Sequence, residues 1–168
     1  MRNVSPFTKE GYMKMHKVTS GKIVTQTIIL NVIALLLGII FIIRQQYVLG
    51  GVTLLVMISF SIAIPLNRHI KIKKLMESSS SLFDKAVYEF NFGEDEYSSH
   101  YTCGEEVVDT SGKYSDFYKI IDTPEYVYLF INLGVAYIVN KKGFENEEDA
   151  KKFTNILRLK NPRYFYKD

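Results

Sequence analysis

The chain is short of cysteine, and its two longest apolar stretches lack charge altogether. One cysteine, Cys103, stands among 168 residues, which excludes an intramolecular disulfide and suits a reducing compartment. The sequence contains no phosphate-cradling glycine loop, zinc-protease helix motif or nucleophile elbow, so no motif points to an enzyme or calls for a cofactor. No Asp, Glu, Lys or Arg interrupts 23–43 or 47–66, and that argues against a proton relay or ion path built by this chain alone.

What is present begins with those two runs. Ile23 to Ile43 is 21 uncharged residues; at about 1.5 Å per residue a helix of that length spans roughly 31 Å, the thickness of a bilayer's hydrocarbon core. Fifteen of the 21 are Ile, Leu, Val or Phe, each favouring insertion by about 0.3 to 0.6 kcal/mol near mid-span, which outweighs Gln26 and Asn31. Tyr47 to Leu66 gives 20 more uncharged residues, so Arg44, Gln45 and Gln46 read as the tip of a helical hairpin. Too little chain follows to wrap two such helices as a soluble core. A cleavable signal peptide is excluded by the length of the first run and by the second run behind it.

Charge gives the orientation. Arg2, Lys9, Lys14, Lys17 and Lys22 precede the first span, Arg68, Lys71, Lys73 and Lys74 follow the second, and the tip carries Arg44 alone. The positive-inside bias puts both termini in the cytoplasm of a cell-membrane protein. Residues 1–74 hold ten Lys and Arg against one acid, and 75–168 hold eleven against seventeen: a basic membrane part at +9 and an acidic soluble part at −6. The clusters Lys14, Lys17, Lys22 and Arg68, Lys71, Lys73, Lys74 read as anchors on anionic lipid, not as a nucleic-acid surface.

Four regions follow. Residues 1–22 form a cytoplasmic segment whose "SPFTKEGYMKMHKV" pattern suits a short interfacial helix. Residues 23–66 are the two-span hairpin. Residues 67–81 are a basic juxtamembrane helix ending in the serine-rich linker "ESSSS", and 82–168 are a cytoplasmic domain with its tail. In that domain "KAVYEFNF" and "YSSHYTC" alternate as a strand hairpin. "EYVYLFI" and "VAYIV" form a second hairpin through Asn132, Leu133 and Gly134, the glycine placed for a left-handed turn. "NEEDAKKFTNILRLK" is an acid-capped amphipathic helix with Asn146 as its cap and Ala150, Phe153, Ile156 and Leu157 as its buried stripe. The class is a membrane α-helical hairpin plus a small α+β domain.

Further titratable residues bear on chemistry. His100 and Cys103 lie three apart on a strand and point to opposite faces, so they cannot share an ion. His16 and His69, at the membrane edges, read as solvated, and Asp116 and Asp122 have no partner base or nucleophile. Inside the first span Thr27, Asn31, Ala34 and Gly38 share one helix face, and Ser59 and Ala63 form a small pair on the second. These serve packing within the hairpin or association with another chain.

The stretch "KYSDFYKIIDTPEYVYLFINLGVAYIVNKKGFENEEDAKKFTNIL" follows, in order, a tryptophan-serine-aspartate-like segment, an aromatic strand pair, a basic-basic-phenylalanine stretch and an acid-capped helix. With the two spans before it, the chain resembles the YcxB-like membrane proteins of bacteria over roughly residues 82–160. Tyr114 stands where that family commonly has tryptophan, and Asn140 and Gly143 replace a proline and an alanine beside Lys141, Lys142 and Phe144. The resemblance implies a pleckstrin-homology-like domain, a curved antiparallel sheet or partly open barrel closed by a C-terminal helix, and implies no reaction.

The expected function is therefore a membrane-tethered interaction module, with Tyr114, Tyr118, Lys141 and Lys142 as the domain's binding surface and a membrane or cytoplasmic protein, or a second copy, as partner. The alternative is an accessory subunit packing through its hairpin in a transporter or envelope complex. A lipid-headgroup module ranks third, because a domain with excess acid is repelled by an anionic surface. The tail "RYFYKD" could dock on the membrane or on the sheet.

Overall fold

The computed structural model describes residues 1–19, 21–83 and 85–167, except for the side chains at 21–24 and 68. The chain divides into two compact units, one made of residues 1–15 and 79–168 and the other of 16–78.

The second unit is a helical hairpin. Helix α2 spans Gly21–Ile43 and helix α3 spans Tyr47–Ser78, the latter running through Pro65 into the juxtamembrane segment as expected. Gln45 makes the tight reversal with a left-handed φ of 61°. Both helices are long and apolar enough to cross a membrane. Their large side chains point outward, Leu30 at 63% exposure and Val48 at 80%.

The other unit begins at the N-terminus, and this corrects the assignment of 1–22 to a separate interfacial segment. Arg2–Pro6 is strand β1, paired antiparallel with β2, Ala86–Phe92. The expected helix is present as α1, Lys9–Thr19, but its Gly11 and Met15 are buried. Strands β3, Glu96–Cys103, and β4, Glu106–Lys113, complete a four-stranded antiparallel sheet in the order β1-β2-β3-β4. The second sheet comprises β5, Lys119–Asp122, β6, Tyr126–Phe130, β7, Ala136–Asn140, and β8, Tyr164–Tyr166, in the order β7-β6-β5-β8. Strand β8 lies parallel to β5, so the tail packs on the sheet. Helix α4, Glu147–Lys160, precedes it, and the Asn146 side chain accepts from the Asp149 amide as the cap pattern predicts.

The two sheets meet along β1 and β7 through buried side chains. Asn3 Nδ2 donates to the Asn140 carbonyl at 2.9 Å, the Asn140 amide donates to Ser5 Oγ at 2.8 Å, and Ser5 Oγ donates to Asn3 Oδ1 at 2.6 Å. Asn3 and Ser5 are 0% and 1% exposed, so their bonds replace the water they gave up. Gly143 lets β1 come this close, since a Cβ there would sit 2.2 Å from the Val4 carbonyl oxygen.

The core lies between the sheets and α4. Phe90, Phe92, Ile120, Val127, Leu129, Val139, Phe153 and Leu157 are at 2% exposure or less, and the Phe92 and Phe153 rings stand 4.0 Å apart. On the outer face of the second sheet α1 covers Tyr126 and Ile138, which would lie 3.1 and 3.2 Å from a Cβ on Gly11. Every residue of β6 is consequently buried. The β6–β7 loop corrects one further expectation: Gly134 is not left-handed. Asn132 Oδ1 instead accepts from the Gly134 and Val135 amides at 2.8 and 2.9 Å, and among the described glycines Gly104 alone has a positive φ, at 62°.

Candidate functional sites

The residues expected to form the domain's binding surface are not brought together. Tyr114 is 1% exposed and its hydroxyl donates to the Gly93 carbonyl at 2.9 Å, so it belongs to the core and not to a binding surface. Lys141 turns back to a 2.7 Å ion pair with Asp122, itself 4% exposed and accepting from the Tyr164 hydroxyl at 2.5 Å. Asp122 thus has a structural partner, and burial raises the Tyr164 pKa, with the Asp122 bond adding to it. Tyr118 and Lys142 do lie at the surface; the Arg163 guanidinium sits 5.6 Å from the Tyr118 ring centre and donates to its carbonyl at 3.2 Å.

A different set of rings forms a surface. Along β2 and β3 the residues facing the core are Ala86, Tyr88, Phe90, Phe92 and, opposite them, Cys103, Tyr101, Ser99, Tyr97. At the Phe92–Tyr97 end they are buried. Between that end and buried Ala86 the cover is thinner. Tyr88, Tyr101 and Tyr137 are half-buried, with Tyr88 4.8 Å from Tyr101 and 5.6 Å from Tyr137 between ring centres. Next to Tyr101 across the ladder, Val108 of β4 is 52% exposed.

Desolvation raises the hydroxyl pKa values here. Tyr101 is pushed up to about 12, first by burial and then by a side-chain hydrogen bond with Cys103. Tyr97 also rises to about 12, first by burial and then by the neighbouring Tyr137. The Tyr97 and Tyr101 hydroxyls therefore stay neutral at physiological pH, giving flat rings with hydroxyl edges, the material of a recognition surface. His100 points to the other side of the sheet, where Nδ1 lies 2.6 Å from Asp109 Oδ1. Among the described residues no three His, Cys, Asp or Glu side chains gather as metal ligands would.

The expected surface of Tyr114, Tyr118, Lys141 and Lys142 left out Tyr88 and Tyr101. Alternation in "KAVYEFNF" and "YSSHYTC" assigns all their aromatic residues to the inner face, and only the position of α4 decides which of those residues stay uncovered.

In the hairpin, Thr27, Asn31, Ala34 and Gly38 do share the face of α2 that meets α3. A Cβ on Gly38 would lie 3.0 Å from Leu54 Cδ2, and one on Gly50 would lie 3.2 Å from the Gly38 carbonyl. Thr27, Asn31 and Ala34 line a groove of about 450 Å³ against Thr53, Met57 and Phe60 of α3. Ser59 and Ala63 are exposed on α3, outside this groove, and the Ser59 hydroxyl donates back to the Leu55 carbonyl at 2.9 Å. Of the basic residues, Lys14 belongs to the domain, pairing with Glu10 at 2.7 Å and with Glu125. Lys71, Lys73 and Lys74 are exposed on α3 and Lys17 lies on α1, while the side chains of Lys22 and Arg68 fall outside the described residues.

These features define a class: a sheet-and-helix domain interrupted, between α1 and β2, by a long apolar hairpin. Residues 97–157, from β3 to α4, match the model of a family described as YcxB-like protein, so the chain carries a YcxB-like domain over that stretch. No curated protein and no solved structure matches it.

Proposed function

We propose that the chain is a cell-membrane protein whose hairpin crosses the bilayer twice and holds a pleckstrin-homology-like domain at the cytoplasmic face, where that domain binds a partner protein. The observation that carries the reading is the place of the hairpin in the chain. It is inserted within the domain, and the segments leading out and back are clasped to each other: Phe7 stacks on Phe83 at 5.4 Å and Tyr12 lies 5.8 Å from Phe83. A domain held by both ends of a membrane hairpin stays at the bilayer, which raises its effective concentration toward membrane partners. Two sheets joined along one edge pair, with a C-terminal helix over the core, support the pleckstrin-like reading.

The half-buried rings of Tyr88, Tyr101 and Tyr137 beside exposed Val108 are the surface for that partner, because amphipathic rings bind protein at small entropic cost. Counted over 1–15 and 79–168, the domain holds fourteen Lys and Arg against seventeen Asp and Glu. This −3 is weaker than the −6 read from the C-terminal half, yet it still disfavours general adsorption to anionic lipid.

Two measurements test the reading. External protease should leave the domain intact in whole cells and cut it in inverted vesicles; the opposite pattern overturns the orientation. Crosslinking in membranes should yield a partner band that Tyr101→Ser with Val108→Asp removes, whereas an unchanged set of bands discards this surface. Deleting 82–168 is the poorer test, since it strips β1 and α1 of the sheet they pack on.

A further inference from the structure

Asn31 differs from the hydroxyl groups of α3. Thr53, Ser59 and Ser61 donate to the carbonyls of Leu49, Leu55 and Met57 at 2.8, 2.9 and 2.8 Å, so each hydroxyl is satisfied within its own helix. The Asn31 amide, which has two donors and an acceptor, has no hydrogen-bond partner among the described residues. It lines the groove between α2 and α3. Asn31 lies eight residues past Ile23 and twelve before Ile43, roughly 12 Å and 18 Å of helix from either end, too deep for a two-carbon side chain to reach the headgroups.

Hydrocarbon cannot satisfy that amide. An acyl chain would fill the groove and offer neither donor nor acceptor, and water is excluded at that depth. The carboxamide is, however, complementary to itself. A two-fold axis beside Asn31 lets each amide donate to the other's carbonyl oxygen. We propose that two copies of this chain pair in the membrane along this groove, their Asn31 amides hydrogen-bonding across the axis. The inference rests on the reading of the hairpin as membrane-crossing.

The test uses the full chain in liposomes of phosphatidylcholine and phosphatidylglycerol, with Cys103→Ser and Gln46→Cys so that donor and acceptor dyes sit at the hairpin tip. Resistance to alkaline carbonate is measured first: release from the liposomes would sink the membrane reading itself. In resistant protein, energy transfer should fall with lipid dilution along a dimer isotherm. Asn31→Leu should raise the dissociation constant about 3- to 30-fold, and Asn31→Gln, which keeps the amide, should recover much of the loss. Leu36→Ala, on the lipid-facing side, should leave it unchanged. Carbonate-resistant protein that stays monomeric at every dilution, or a dimer indifferent to Asn31→Leu, overturns the pairing and leaves the membrane reading standing. Asn31-dependent co-purification of a different chain, with no energy transfer, gives the groove to an unlike partner and also overturns it.

Discussion

The domain and the hairpin are built from similar side chains turned in opposite directions. In the domain Phe90, Phe153 and Leu157 are at 0% exposure while Glu94, Glu147 and Lys151 face out. In the hairpin Leu30, Leu36 and Val48 are at 56% or more, while Asn31, Gly38 and Thr53 turn toward the seam. On the membrane reading proposed above, each inversion is the low-energy arrangement in its own solvent. Water drives apolar groups together, and lipid, being as apolar as leucine, leaves close packing and hydrogen bonds as the forces between helices. The same chain therefore has to be read with two sets of rules, switched near residues 16 and 78.

Truncating a large apolar side chain is the strongest way to separate the two. Phe153 touches Phe92 and, at 5.3 Å between ring centres, Phe144. Phe153→Ala should cost the domain about 3–5 kcal/mol, transfer and cavity together. Leu36→Ala, at a side chain 56% exposed on the hairpin, should leave the stability of the inserted protein nearly unchanged. Denaturant titration of the detergent-solubilised chain, followed by tyrosine circular dichroism for the domain, measures the first. Equal losses for the two variants would mean that the hairpin has a buried core of its own and would break the comparison.

A charge placed on the same lipid-facing leucine sharpens it further. Leu36→Asp should disfavour insertion by about 2.5 to 3.5 kcal/mol near the centre of the span, read as a rise in the carbonate-extractable fraction. In water the change would be neutral or helpful at so exposed a position, so full membrane retention of the variant would remove the case for lipid around α2.

The sequence carried the hairpin's limits and most of the domain's elements in plain view, because those depend on short-range pattern. Uncharged runs mark α2 and α3, period-two alternation marks β2 and β3, and Asn146 with three following acids marks α4. What escaped depended on contacts distant in sequence. β1 pairs with a strand more than eighty residues away, and "RNVSP" has no alternation strong enough to announce it. Its buried Asn3 and Ser5 look like surface residues until Asn140 is beside them. Asn161 is hidden in the same way: 2% exposed, it donates to the Tyr114 and Phe117 carbonyls at 2.9 and 3.0 Å and so fixes the end of α4 against the turn between β4 and β5. The candidate surface suffered most. Tyr114 and Tyr88 are equally aromatic in a string of letters, and only the assembled layers separate the covered ring from the half-covered one.

Acid offers the gentlest probe of the difference. Two of the domain's long-range ion pairs have a carboxyl with a depressed pKa: Asp95 with Lys160 at 2.5 Å, and Glu125 with Lys14. The hydrogen bond to its lysine, the largest cause in each case, holds the Asp95 and Glu125 carboxyls below their usual range. A carboxyl whose folded pKa is depressed contributes stability that is present above its unfolded value, roughly 4, and is lost as pH falls through the folded value. Both pairs are solvent-exposed, so the effect should be the smallest of the three and should shrink with added salt. The hairpin unit contains one acid, Glu77, and has almost nothing to protonate. Lowering the pH below about 4 should therefore soften the domain's tyrosine signal while helical dichroism from the inserted hairpin persists. Asp95→Asn with Glu125→Gln should flatten that acid slope, and a slope identical to the unsubstituted chain would assign the loss to other carboxylates.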